Sequence, residues 1–174
     1  MKHIYVILMH TNTLPARLIQ KVTNYKYSHV GIALEKDCNA IYSFGRKKLH
    51  WILDAGFCVE HKNGEFFRTF HKTMCTIYEV SVTEEQYEKV RNIIHAMLLH
   101  SSQYQYDFIG IVLRFFGIPL TFKNKYVCSY FVATVLQKAK IYQFQKRLCF
   151  VKPKDFENLR GFHEIYTGRY LLYQ

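Results

Sequence analysis

A chain of 174 residues has the length of one ordinary domain, enough to bury about two thirds of the surface its unfolded form exposes. With 49% hydrophobic and 21% charged residues, 3 Pro and 8 Gly, it lies outside disordered and collagen-like compositions, and a single domain over 1–174 is expected. The 24 Lys and Arg exceed the 13 Asp and Glu by 11, which favours contact with phosphate, anionic lipid or an acidic polymer. The cations are scattered in pairs such as Lys47 and Lys48 or Lys123 and Lys125, so a diffuse solubilising surface is the simpler account.

Residues 4–9 are apolar and β-branched enough for a buried first strand. The segment is short, runs directly into His10-Thr-Asn-Thr and has no small-residue cleavage site, so it reads as a strand and not as a signal peptide, and a cytoplasmic protein is expected. Thr13 and Pro15 open a helix that ends near Tyr25. Residues 27–35 form a compact strand, 36–39 carry turn chemistry, and 40–46 return as the second arm of a hairpin. From 47 to 73 the chain is aromatic and basic without a sustained period, and reads as a long excursion with one short helix or strand.

Residues 74–82 alternate as a half-buried strand should. Thr83-Glu-Glu-Gln86 is then a capping box, opening an amphipathic helix with Tyr87, Val90, Ile94, Met97 and Leu98 on one face. Residues 106–116 make a second, apolar helix ended by Gly117-Ile-Pro119. The apolar run 108–122 around it is broken by Arg114 and Pro119 and falls short of the roughly 20 residues needed to span a bilayer. Residues 126–136 place Phe131, Val132, Val135 and Leu136 at helical spacing, with Cys128 in or just before the first turn. Residues 152–159 give a short helix with Pro153 first, and 163–173 a terminal strand. Strand runs and helix runs are segregated, so the class is α+β with a mostly antiparallel sheet.

Five cysteines are an odd number without a CxxC pair, so neither a disulfide framework nor a zinc ribbon fits, and no metal or other cofactor is expected. Cys128 alone has a special address. The start of a helix presents unpaired N–H groups and the positive end of the dipole, which favour thiolate over thiol. Its own backbone N–H is placed to receive an oxyanion. Most free cysteines are merely small apolar residues, so Cys128 acquires chemistry only with an imidazole partner. Of nine histidines, His29 heads the Val-Gly-Ile-Ala-Leu strand with Gly31 leaving room on the same face, and His10 is the second choice.

Two segments, Tyr27-Ser-His-Val-Gly-Ile-Ala-Leu and Tyr-Val-Cys-Ser-Tyr-Phe-Val-Ala-Thr-Val-Leu, resemble the circularly permuted NlpC-like cysteine peptidases of the papain superfamily. They resemble most the YiiX-type branch, related to lecithin retinol acyltransferase. The order His29 before Cys128 is the one permutation implies. The resemblance covers about residues 4–141 and implies a thiol-bearing helix packed on an antiparallel sheet that carries the imidazole, with a third polar group on the following strand. Ser43 is the compact hydrogen-bonding side chain there, on the face of His29 if the turn holds one bulged residue. Glu35 is charged but lies about 20 Å along the strand of His29.

The resemblance implies hydrolysis of a cell-wall-type peptide amide through a Cys–His acyl-enzyme, or acyl transfer from a lipid ester at an anionic membrane surface. Tyr27 is placed to flank the groove. Tyr42, Phe44, Trp51, Phe57, Phe66, Phe67 and Phe70 either line a pocket or fill the core. A non-enzymatic basic binding module is the competing class. Aromatics interleaved with cations suit single-stranded nucleic acid, but no recognisable nucleic-acid motif is present.

Overall fold

The computed structural model describes residues 1–11, 25–48 and 51–174. Its strands are β1 (Lys2–His10), β2 (His29–Ala33), β3 (Ala40–Lys48), β4 (Trp51–His61), β5 (Met74–Val82), β6 (Gln105–Tyr106), β7 (Lys125–Tyr126) and β8 (Phe162–Arg169). Four α-helices accompany them: α1 (Glu65–Thr69), α2 (Glu84–Leu99), α3 (Phe108–Phe115) and α4 (Cys128–Lys138). The strands form one sheet in the order β7-β6-β4-β3-β2-β1-β5-β8, antiparallel throughout except for the parallel pair β6–β7. The class is therefore α+β with a mixed eight-stranded sheet. The helix expected from Thr13 lies outside the described residues.

β1 is buried on both faces because it runs through the middle of the sheet, between β2 and β5. Its alternate residues feed two cores. Ile4, Val6 and Leu8 join Val30, Ile32, Val90, Ile94, Phe131, Val132, Val135 and Leu136 beneath α2 and α4. Tyr5, Ile7 and Met9 join Ile41, Phe67, Ile77 and Tyr170 on the opposite face. α4 lies against β2 and β3, and Phe131 inserts between Phe44 and Phe57 with ring centroids 5.3 and 5.5 Å away. Of the clustered aromatics, Phe44, Phe57 and Phe67 are core residues.

The α2 capping box forms as expected, with Gln86 N–H donating to Thr83 Oγ1 at 3.2 Å and Thr83 N–H donating to Gln86 Oε1 at 2.9 Å. Val90, Ile94 and Met97 are buried at i, i+4 and i+7, whereas Leu98, one position past that row, stays at the rim and is 37% exposed. The expected hairpin is present, with Ile32 opposite Tyr42.

Two expectations need correction. The excursion after residue 47 contains both a long strand, β4, and a helix, α1. The terminal strand ends at Arg169, because Tyr170 turns inward. Its N–H donates to Thr73 O at 2.9 Å and its hydroxyl to Cys38 O at 2.6 Å.

Phe131→Ala empties the space between two rings on the sheet, and urea denaturation of this variant is expected to show a loss of about 3–5 kcal/mol.

Candidate active site

The site assembles where β2, β3, β4 and the start of α4 converge. Val127 enters α4 in extended conformation, φ −105° and ψ 163°, and supplies no side-chain cap. Cys128 is thus the first helical residue, and the first-turn N–H groups, which have no partner within the helix, receive no capping side chain from Val127. The adjoining Ser129 is turned away from the site and donates to Val151 O at 2.5 Å, which pins the first turn. Cys128 is 5% exposed.

Cys128 acts electrostatically on the His29 ring, so the two motifs ninety-nine positions apart come together in the fold. His29 Nε2 stands 3.2 Å from Glu60 Oε1, and both side chains are mostly buried. Neither Nε2 nor Glu60 Oε2 has an aligned hydrogen bond, so the contact is an ion pair by distance. Burial opposes charge on the ring. The interactions with Glu60 and then with Cys128 outweigh it, holding His29 well above its ordinary value of 6.5.

A glycine makes room for this contact. A Cβ at Gly45 of β3 would lie 3.2 Å from Glu60 Oε1 and 3.6 Å from both His29 Cε1 and Cys58 Sγ. Gly45 therefore leaves the gap across which the β4 carboxylate reaches the β2 imidazole.

Ser43 does not occupy the third place. It shares the sheet face of His29, as hairpin parity required, but it sits beside Gly31, and its hydroxyl donates to Val30 O at 2.8 Å. The group on the ring is Glu60, which sequence reasoning missed because β4 was not anticipated. Its available signals were the alternation Phe57-Cys-Val-Glu60 and the turn pair Asn63-Gly64 just beyond. Tyr27 does not flank a groove. It is 5% exposed, and its hydroxyl is engaged with Thr76 Oγ1 at 2.6 Å. His10 closes β1 opposite Met74.

Two further groups feel the charge of Cys128. Tyr106 at the end of β6 is raised above its ordinary value by burial and then by the charge of Cys128, so it stays a neutral O–H donor. The Cys58 thiol is raised by burial and by Glu60. Burial also pushes Cys38 and Cys75 up to about 12, so these thiols remain protonated at neutral pH. Among the described residues, no three His, Cys, Asp or Glu side chains gather as metal ligands.

No protein-family model matches the chain, and a search of curated proteins returns no significant match. The geometry of Cys128, His29 and Glu60 therefore carries the functional argument.

His29 binds its proton more tightly when folded than when unfolded. The stability contributed by its pairing is full below the unfolded value near 6.5 and is lost as pH rises through the raised folded value. Urea midpoints measured across that window should fall for the wild type and stay much flatter for Glu60→Gln.

Proposed function

We propose that the chain is a cysteine hydrolase that cleaves an amide through a thioester acyl-enzyme, in a papain-like domain of permuted order. The observation that carries this reading is the sequence of interactions from Glu60 to His29 to Cys128 at a helix start. A nucleophile beside a base that is itself held by a third group is the arrangement covalent acyl transfer requires.

In this reading the Cys128 proton already sits on His29, and Sγ attacks the carbonyl carbon as the thiolate of that pair. The imidazolium is stabilised by Glu60. The Cys128 N–H receives the oxyanion. Collapse of the intermediate breaks the C–N bond, and the leaving amine takes the proton from His29. Water, giving a proton to the neutral ring, then attacks the thioester. It releases the acid, and the thiolate of the pair is restored. His29 precedes Cys128 in the chain, and the sheet carries the imidazole while the helix carries the thiol, which is what a permuted papain-like arrangement requires.

A second reading, acyl transfer from a lipid ester by the same thiol, is favoured by one observation. The helix that follows Tyr106 directly, α3, turns apolar side chains to solvent.

Iodoacetamide at neutral pH, with the modified residue identified by mass spectrometry, tests the thiol. One equivalent should add at Cys128, with His29→Ala slowing the reaction roughly a hundredfold or more. Glu60→Gln should slow it about tenfold, and Ser43→Ala should leave it near wild type. Modification of Cys128 no faster than that of Cys38 or Cys75 would reject the enzyme reading.

A further inference from the structure

Helix α3 is built the wrong way round for a surface helix in water. Its polar groups face the protein: Asp107 caps it by accepting from Gly110 N–H at 2.9 Å and pairs with Arg114, with side chains 0% and 8% exposed. Its apolar residues face outward. Ile109, Val112, Phe115 and Phe116 are each more than half exposed, with Phe115 at 73% and Phe116 at 71%, and Ile118 and Leu120 continue the face. Contiguous apolar surface of this kind marks an interaction site.

The charge around it selects the occupant. Between Asp107 and Asp155 lie 47 residues with no carboxylate and nine Lys or Arg, among them exposed Lys123 and partly exposed Lys125 just beyond the apolar face. An apolar helix face followed in the chain by Lys123 and Lys125, within a stretch free of carboxylates, fits the interface of an anionic bilayer. The eight residues of α3 span about 12 Å, too short to cross a membrane but suited to lying in its plane. The described residues contain no helix long and apolar enough to span.

We propose that α3 and the segment to Leu120 form an interfacial docking surface for anionic lipid membranes. Docking there sets the end of β6, one residue before the cap of α3, next to the lipid surface. The surface uses none of the catalytic groups, so its test is separate from that of the thiol.

The probes are sedimented vesicles of phosphatidylcholine alone and of phosphatidylcholine mixed with phosphatidylserine. Wild type and Cys128→Ala should bind the mixed vesicles equally, more tightly than the neutral ones, and less tightly as salt rises. The double variant Phe115→Glu, Phe116→Glu, altered only at exposed positions and checked for native circular dichroism, should lose roughly a hundredfold in affinity. Lys123→Glu, which leaves the apolar face intact, should weaken binding to the mixed vesicles alone.

Absence of wild-type binding to the mixed vesicles, or equal binding by the double variant, overturns the proposal. So does a dimer that fails to bind vesicles and that the same two substitutions dissociate, since this would assign the face to a second copy of the chain.

Discussion

The arrangement depends on one imidazole held between a carboxylate and a sulfur, largely out of water. At 3.2 Å and an effective dielectric near 20, the attraction between His29 and Glu60 is about 5 kcal/mol gross. Stripping water from an ion costs several kcal/mol, so the ring keeps its charge only because its partner is this close. Several local features serve that closeness. β2 starts at the histidine, β3 places a glycine where a side chain would intrude, and β4 supplies the carboxylate from one strand further away.

The same cores that stabilise the sheet also hold the thiol in place. Phe131, one helical turn after Cys128, is clamped by Phe44 and Phe57 from β3 and β4, the strands that carry Gly45 and Glu60. Helix and carboxylate are thereby referenced to a single aromatic cluster, and Ser129 fixes the rotation of the first turn through Val151. Rigidity of this kind lets an ion pair hold its geometry without paying side-chain entropy at each encounter. It also explains why the five thiols are not equivalent. Cys38 and Cys75 lie among apolar side chains on the far face of the sheet, and Cys58 lies beside a negative charge.

What the sequence made legible follows from the range of each signal. Cys128 and His29 were readable because their settings are local, an extended residue leading into a helix and the head of a compact strand. The α2 capping box was equally local and appears as read, whereas β5 forms where expected but is buried on both faces from Cys75 to Tyr78, since it lies inside the sheet between β1 and β8. Glu60 was not readable, because its meeting with His29 spans thirty-one positions and depends on a strand whose pattern is weak. Asp54, Ala55 and Gly56 interrupt the alternation of β4, and its register comes from pairing with β3 instead. Ser43 shows the opposite case. Its face was inferred correctly from parity, but its hydroxyl found a backbone carbonyl, a partner that side-chain patterns do not reveal.

The parallel pair β6–β7 has a consequence for how such a chain can change. Tyr106 and Tyr126 are register partners, and Asp107 N–H donates to Tyr126 O at 2.9 Å, so the 18 residues from 107 to 124 leave the sheet and re-enter it at one fastened point. Doubling the length of a closed loop costs only about 0.6 kcal/mol. That segment can be lengthened, shortened or exchanged while Cys128, His29 and Glu60 keep their places. Change in the exposed apolar appendage and preservation of the Cys128, His29 and Glu60 cluster thus become separate problems, the first confined to a loop and the second to the sheet and α4.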